Sequence, residues 1–262
     1  MRIITFLSDF GYKSSYVAQM KGIASNITDA KLIDITHNIT PHNIREGAFV
    51  LKTAAPFFPS GTVHVGVVDP GVGTGRRGIV ITTSTQIFVG PDNGLLIPAA
   101  RALGNFSVYE IQNPQLMLNR VSNTFHGRDV FTPVAAHILN GVYFDEIGAK
   151  ITDYIDLNFG TFEISSQSAT GQVIYVDDFG NIITNIDGNR LKILLDYGKK
   201  IMAFIGKEKK ELLFVQSYDY VKKDDFLATI GSSNLLEFSI NQGNAAKKLK
   251  IKPGDQVKIL FS

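Results

Sequence analysis

Residues 67–77 read Val-Val-Asp-Pro-Gly-Val-Gly-Thr-Gly-Arg-Arg, and they join the end of an apolar run to two arginines through a glycine-rich turn. The run over residues 62–68 predicts a strand that delivers Asp69 to its carboxyl end. Pro70 presets the turn, and the glycines allow backbone angles that other residues avoid. The stretch is typical either of a strand corner whose aspartate caps backbone amides or of an active site in which a carboxylate meets a cation.

Short β-branched runs alternate with helical patterns on both sides of this stretch. The predicted strands cover residues 3–7, 31–35, 62–68, 78–82, 86–90 and 107–111, and the predicted helices cover residues 15–27, 44–55, 95–102 and 130–140. This alternation predicts an α/β domain with a mixed or parallel sheet over residues 1–150. Asp9 and Asp69 each follow a strand, and α/β sheets gather ligands at such ends, so we expect both aspartates in one crevice.

From about residue 170 the pattern changes to short β segments. Turn signals such as Asp187-Gly188-Asn189 and Pro253-Gly254-Asp255 separate these segments. They predict a smaller all-β, antiparallel, barrel-like domain over residues 170–262. Residues 151–169 have little helical periodicity and form the predicted linker between the two domains.

Composition narrows the class of protein. The 262 residues are 44% hydrophobic and 19% charged, which is typical of a soluble globular protein. No apolar run approaches the ~18 residues of a membrane span, so we expect a cytoplasmic protein without a membrane partner. The absence of cysteine excludes disulfides and thiolate chemistry. Lysines near the C-terminus alternate with acidic residues, a pattern of solvated surfaces rather than of nucleic-acid binding.

His126 is the histidine with the most suggestive surroundings. It lies in the segment Thr124-Phe125-His126-Gly127-Arg128-Asp129, directly before a predicted helix. Such a histidine either packs structurally or takes part in catalysis. If it meets Asp69 and Arg76, the resulting cluster has no side-chain nucleophile, so the attacking species would be water or hydroxide.

Two polar clusters interrupt the strands of the second domain. Residues 177–185 read Asp-Asp-Phe-Gly-Asn-Ile-Ile-Thr-Asn, and residues 231–237 read Gly-Ser-Ser-Asn-Leu-Leu-Glu. The first is either a plain hairpin or a recognition site for an amino acid or nucleoside, and the second is either a β-turn or a carboxylate site. The chain has no Walker loop, helical zinc pair or Gly-x-Ser-x-Gly elbow, and Arg76 stands where a dinucleotide loop requires glycine.

Taken together, these motifs resemble those of the S-adenosyl-L-methionine (SAM) hydrolases, also called hydroxide adenosyltransferases. The resemblance runs in order along nearly the whole chain and rests on residues 8–11, 34–37, 41–48, 68–74 with 76–77, 90–94, 124–129, 179–181 with 184–185, and 231–233. It implies an α/β domain followed by a β-barrel, and a homotrimer with sites between neighbouring subunits. It also implies SAM as the substrate and no metal or other cofactor.

The resemblance also assigns roles to individual residues. Asp69, Arg76 and His126 match the residues that hold the attacking water or hydroxide, which leaves Arg77 as the less favoured arginine. The implied substrate-binding residues are Asp9 at the ribose hydroxyls, Asp177 and Ser232 at the methionine ammonium and carboxylate with Ser233 nearby, Asn181 near the adenine edge, and Phe125, Tyr218 and Glu237 as wall and adenosine contacts.

The implied reaction is attack of water or hydroxide on the ribose C5′, releasing methionine. In this interpretation Arg76 stabilises charge on the oxygen, while His126, directed by Asp69, accepts the proton. Two alternatives remain open: a SAM-dependent halogenase, and a non-catalytic protein that binds adenosine or SAM. The fluorinases carry another residue at the position of Asp69 and an inserted loop for which residues 82–88 leave no room, so hydrolysis is favoured.

Overall fold

A computed structural model describes residues 2–261, which divide into two compact units between Asn158 and Phe159. Each unit has its own hydrophobic core. The predicted linker, residues 151–169, spans this division. Within the described residues, no helix has the length and apolar character needed to cross a bilayer.

The first unit is an α/β domain built on a mixed sheet. Its strands are β1 (Ile3–Ser8), β2 (Lys31–Thr36), β3 (Val63–Val67), β4 (Gly78–Thr83), β5 (Ile87–Pro91), β6 (Phe106–Glu110) and β7 (Lys150–Ile151). They lie in the order β2-β1-β3-β5-β4-β6-β7. The β2-β1-β3-β5 half is parallel, whereas β4 pairs antiparallel with both β5 and β6. The mixed sheet that the alternating pattern predicts is therefore confirmed.

Helices and short helical turns connect these strands. The helices are α1 (Tyr16–Ile27), α2 (Ile44–Ala54), α3 (Ile97–Ala102), α4 (Thr132–Leu139) and α5 (Phe144–Ile147). Asn43 begins α2, because its side chain accepts a hydrogen bond from the backbone N–H of Glu46. Gly47 then faces the core, where a Cβ would lie only 2.8 Å from Leu95. A glycine at this point lets α2 pack closely against the buried side of the domain.

The second unit is a β-barrel. Its elements are β8 (Glu163–Ile164), β9 (Ser168–Val176), β10 (Ile182–Asp187), α6 (Gly188–Lys192), β11 (Lys200–Ile205), β12 (Glu208–Phe214), β13 (Phe226–Ile230), β14 (Leu235–Ile240), α7 (Ala245–Leu249) and β15 (Gln256–Leu260). The order β10-β14-β13-β12-β11-β15-β9 closes through the pairing of β9 with β10, and β8 adds to β9 from outside. The predicted barrel-like domain is thus confirmed, with one parallel pair, β12 and β13, among antiparallel neighbours.

Two local predictions differ from the structure. Asp187-Gly188-Asn189 is not a simple turn, because the Asp187 side chain accepts from the backbone N–H of Arg190 and caps α6. The helix predicted over residues 130–140 instead begins with a π-helical turn, Gly127–Phe131, and continues as α4. Such turns are frequent at functional sites.

Candidate active site

Asp69 and Arg76 form a buried ion pair at the carboxyl edge of the sheet. Asp69 follows β3 and Arg76 precedes β4, so the glycine-rich loop brings them together. Nε of Arg76 donates to Oδ1 and Oδ2 of Asp69 at 2.9 and 3.1 Å, and Nη2 also donates to Oδ2. The side chains are only 5% and 11% exposed. A bidentate pair of this kind fixes the plane of the guanidinium.

The glycines of this loop have different roles. Only Gly73 of the three adopts a left-handed backbone, with φ of 77°, and a Cβ there would overlap the backbone oxygen of Asn123. Gly71 instead makes space, because a Cβ would lie 3.4 Å from Cγ of Arg76. The prediction of special backbone angles therefore holds for Gly73, and Gly71 is explained by packing.

His126 contacts the other side of the Arg76 guanidinium. Its Nδ1 lies 3.0 Å from Nη2 of Arg76. An arginine can only donate, so Nδ1 accepts and the neutral ring carries its proton on Nε2. Burial, followed by the Arg76 charge, lowers the pKa of His126 below its ordinary value of 6.5, although Asp69 and Asp129 oppose the change.

The order of the cluster is therefore Asp69, Arg76, His126, with the cation in the middle. This differs from the expectation that Asp69 directs His126, because the link between them passes through the guanidinium. The ring lone pair is already occupied, so His126 can accept a proton at Nδ1 only after Nη2 of Arg76 moves away. The arrangement is better suited to presenting N–H groups to an electron-rich oxygen.

The π-helical turn holds this cluster against the core. Phe131, which ends the turn, lies under Arg76, with 5.1 Å from its ring centroid to the guanidinium carbon. The His126 ring meets Phe131 edge to face at 6.4 Å. Asp129 is fully buried, where it accepts from Arg128 and from the backbone N–H of Ser122. Sequence reasoning missed Asp129 as a support of the site, although it stands three residues after His126.

Arg77 points into a different environment. It donates through Nε and Nη2 to the buried carboxylate of Asp92 at 3.1 and 2.7 Å, and through Nη1 to Asp153 at 3.0 Å. Asp92 in turn accepts from the backbone N–H of Ile155 at 2.8 Å. Arg77 therefore ties the sheet to residues 153–155.

Asp9 lies at the same edge of the sheet as Asp69. Ser8 pairs with Val67 across the parallel strands β1 and β3, so the residues that follow both strands leave the sheet together. Oδ2 of Asp9 accepts from the backbone N–H of His42 at 2.8 Å. His42 has a left-handed backbone with φ of 67°, which is rare for a residue other than glycine.

Phe125 belongs to an aromatic cluster beside this edge. Its ring meets Phe10 at 5.6 Å and Tyr16 at 5.2 Å, both edge to face, and Arg128 lies over it at 5.0 Å. Phe125 is buried, whereas Tyr16 is about half exposed. The cluster therefore offers an aromatic surface next to Asp9, the residue before Phe10.

In the second unit, Asp177 and Asn181 form the hairpin between β9 and β10. Oδ1 of Asp177 accepts from the backbone N–H groups of Phe179 and Asn181, and Oδ2 accepts from the Asn181 side chain at 2.8 Å. The hairpin interpretation of this segment is therefore correct. It leaves room for a ligand as well, because a carboxylate has about four acceptor positions and the turn uses three.

This hairpin borders an open groove of about 770 Å³. The groove is lined by Asp177, Phe179, Asn181, Tyr218, Ile240, Asn241, Gln242, Gly243 and Asn244. The Tyr218 hydroxyl donates to Oε1 of Glu237 at 2.8 Å, and burial followed by this carboxylate raises the Tyr218 pKa. Sequence reasoning missed residues 240–244, although their run of Asn, Gln and Gly between β14 and α7 was a usable signal.

Ser232 and Ser233 lie in the turn between β13 and β14. Asn234 donates its backbone N–H to the Gly231 oxygen at 2.9 Å, and Gly231 donates to Leu235 at 3.0 Å. The β-turn interpretation of this segment is therefore correct. Ser232 is exposed at its tip.

An α/β domain with a buried carboxylate and guanidinium at its strand ends and a half-buried imidazole beside them, followed by a β-barrel with an aromatic and amide-lined groove, is typical of two-domain enzymes that act on small molecules. The chain belongs to the SAM hydroxide adenosyltransferase family. The models of that family's N-terminal and C-terminal domains match residues 4–148 and 171–258.

Individual relatives are similar along their whole length. The chain is 39% identical to a Methanocaldococcus jannaschii protein named (R)-S-adenosyl-L-methionine hydrolase, with 99% of this chain and 96% of the relative covered. A Salinispora arenicola protein of the same name is 35% identical, with coverage of 98% and 97%. A fluorinase from Nocardia brasiliensis is 25% identical, with coverage of 98% and 96%.

A solved structure also matches closely. It is an uncharacterized conserved protein from Thermotoga maritima, 36% identical, with a TM-score of 0.93 over 98% of this chain and 99% of that one. The two proteins share the fold of both units.

Proposed function

We propose that this protein hydrolyses SAM to adenosine and L-methionine. The observation that carries the proposal is the Asp69–Arg76–His126 cluster, in which a buried ion pair contacts a half-buried neutral imidazole and no side-chain nucleophile is present. The relatives from M. jannaschii and S. arenicola bear the name of this activity, and the fluorinase is less similar in sequence.

The proposed step is an in-line displacement at the ribose C5′. An oxygen nucleophile forms the C5′–O bond while the C5′–S bond breaks. The electron pair of the broken bond returns to sulfur. The sulfonium thereby becomes the neutral thioether of methionine, so the leaving group needs no acid catalyst. When water attacks, one proton leaves the oxygen for solvent, and when hydroxide attacks, none does. The protein's task is alignment of the oxygen with the C–S bond.

Arg76 is the proposed centre of that alignment. Asp69 fixes its plane, and His126 accepts from Nη2, so the guanidinium is held in one direction and Nη1, whose one protein contact is a long hydrogen bond to the Arg77 oxygen, is the proposed donor to the attacking oxygen. Donors that need no reorganisation stabilise negative charge on an attacking oxygen. Asp69 keeps the cluster near neutrality, which disfavours a halide in the same place.

The proposed substrate contacts follow the family pattern. In the first unit, Asp9 takes the ribose hydroxyls and Phe125 contributes an aromatic wall. In the second unit, the residues proposed for the methionine ammonium and carboxylate, the adenine edge and the adenosine wall are Asp177, Ser232, Ser233, Asn181, Tyr218 and Glu237. The free acceptor position of Asp177 and the aromatic lining of its groove support these assignments.

We further propose that the reaction uses no metal or other cofactor, since the sulfonium supplies the activation. The family resemblance supports a homotrimer with shared sites, and a cytoplasmic location stays a prediction from the sequence. Sedimentation equilibrium tests the trimer, which requires three times the chain mass.

The decisive experiment is incubation with SAM in halide-free buffer made with oxygen-18 water. We expect adenosine that carries the label at its 5′ oxygen, together with unlabelled methionine. Formation of a 5′-halo nucleoside only when chloride or fluoride is added would identify a halogenase instead. Binding of SAM without any product over a long incubation would identify a non-catalytic binder. Arg77→Lys is the matched control, because it alters the neighbouring arginine outside the cluster.

A further inference from the structure

A hydrogen-bonded chain of four side chains begins at Ser8, the residue before Asp9, and the proposed reaction does not use it. The Ser8 hydroxyl lies 2.6 Å from Nδ1 of His37, and Nε2 of His37 lies 3.1 Å from Oδ1 of Asp34. Lys21, from α1, donates to Oδ2 of Asp34 at 2.7 Å. Ser8 and His37 are fully buried.

The chemistry of these groups fixes the direction of each hydrogen bond. The Asp34 carboxylate can only accept, so Nε2 of His37 carries the ring proton and Nδ1 accepts from the Ser8 hydroxyl. The Ser8 hydroxyl has no exposed surface, so it is not a nucleophile in spite of its histidine and aspartate partners. This hydrogen-bonded chain of side chains therefore supports the structure and is not a reactive site.

What the chain supports is the loop that carries Asp9. The Ser8 oxygen accepts from the backbone N–H of Phe10 at 3.3 Å, while the backbone oxygen of His37 accepts from Gly11 at 2.8 Å. His37 therefore holds residues 8 and 11, on either side of Asp9. Oδ2 of Asp9 in turn accepts from the His42 N–H, so the loop on both sides of Asp9 and one oxygen of its carboxylate are held.

A matched chain lies on the same strand but away from this loop. The Thr5 hydroxyl lies 2.6 Å from Nδ1 of His64, and Nε2 of His64 lies 3.0 Å from Oε1 of Gln86. The Gln86 amide then donates to the backbone oxygens of Ala55 and Phe58. Both chains join a β1 hydroxyl to a buried histidine, but only the Ser8 chain contacts the Asp9 loop.

We propose that Ser8, His37, Asp34 and Lys21 are positioning residues that aim the Asp9 carboxylate at a vicinal diol, and so make the site selective for ribonucleosides over deoxyribonucleosides. This inference rests on the proposed function, in which Asp9 takes the ribose hydroxyls. A carboxylate has two acceptor oxygens and can accept from both hydroxyls of a diol, and a carboxylate that is already oriented does so without losing freedom on binding. A site that is built to hydrogen-bond a ligand hydroxyl binds the analogue without that hydroxyl much more weakly, because the polar groups of the site are left unpaired.

The test compares Ser8→Ala with Thr5→Val. Each removes one hydroxyl bonded to a buried histidine, so we expect both to lower Tm by a similar few degrees. Calorimetry then measures the affinity of each protein for adenosine and for 2′-deoxyadenosine. We expect the wild type and Thr5→Val to prefer adenosine at least about tenfold, and Ser8→Ala to prefer it less than about threefold. Ser8→Thr, which keeps the hydroxyl, should restore the preference.

Equal loss of preference in Ser8→Ala and Thr5→Val would overturn the inference, as would full retention in Ser8→Ala. If Ser8→Ala does not fold, Asp34→Asn tests the same chain from its partly exposed end, with the same expected loss. The binding measurement separates the two proposals: a wild type that prefers adenosine but releases no adenosine from SAM contradicts the hydrolase and leaves this inference standing. A wild type without any preference refutes the diol role of Asp9.

Discussion

Arg76 and Arg77 are adjacent, and each pairs with an aspartate, yet Arg76 belongs to the candidate active site and Arg77 to a structural contact. The Arg77 guanidinium donates to two carboxylates and to a backbone oxygen, so protein acceptors absorb its charge. The Arg76 guanidinium donates to one carboxylate, to the backbone oxygen of Arg77 and to a neutral imidazole. An ion pair at a strand end is therefore not a site by itself. The partner that distinguishes Arg76 is His126, which contributes no opposite charge.

The largest effect should come from Arg76→Lys. An ammonium keeps the charge but cannot bind Asp69 and His126 in one plane. We expect the rate of SAM hydrolysis at saturating substrate to fall about 10²–10³-fold, the range seen when a stabilising donor is removed. SAM affinity, measured by calorimetry, should change less than about fivefold. A rate within threefold of wild type would show that the fixed plane of the cation is irrelevant to catalysis.

A smaller effect should follow from His126→Asn. The amide oxygen can still accept from Arg76, whereas the alanine variant leaves Nη2 without a partner. We therefore expect His126→Asn to lose about tenfold in rate and His126→Ala about 10²-fold. If instead the imidazole acts as the base, both variants should be equally inactive.

The pH dependence sharpens this test. Protonation of His126 would place a second cation against Arg76, and the pKa of His126 lies below 6.5. The wild-type rate should therefore be constant above the range of an ordinary histidine, and should fall as the pH drops through the lowered pKa of His126. This acid limb should be absent from the pH–rate profile of His126→Asn.

The smallest effect on activity should come from Arg77→Lys. Lysine can pair with one carboxylate but cannot bridge Asp92 and Asp153, so the buried Asp92 loses part of its compensation. We expect a rate within about threefold of wild type and a Tm lower by a few degrees, measured by calorimetry. A large fall in the rate without a lower Tm would place Arg77 in the site.

Sequence patterns predicted the fold well where each pattern has a single physical meaning. Alternating β-branched and helical segments specify a sheet covered by helices, and the strands predicted over residues 3–7, 31–35 and 78–82 match β1, β2 and β4 to within one residue. The parallel pairing of β12 with β13 was not predictable, since a short strand has the same pattern in either direction. The cap on α6 was missed because an aspartate before glycine also favours a turn.

The candidate site was less accessible to sequence reasoning. The pattern around residue 76 presents two equivalent arginines, and only the family resemblance favoured the first. What separates them is the direction of each side chain, which depends on the packing of Phe131 and the space left by Gly71. The support from His37 was also hidden, because its contacts with residues 8 and 11 exist only after β1 and β2 pair.

The π-helical turn Gly127–Phe131 has an evolutionary consequence. Such a turn contains one residue more than an ordinary helix needs, so a single deletion within it would produce a regular helix continuous with α4. Each residue of a helix turns the chain by about 100°, so the same deletion would rotate His126 away from Arg76 while the buried face of α4 stayed in place. Deletion of one residue can therefore disrupt the Asp69–Arg76–His126 cluster while the fold is kept. Proteins that evolve from this one could lose its activity and retain its architecture.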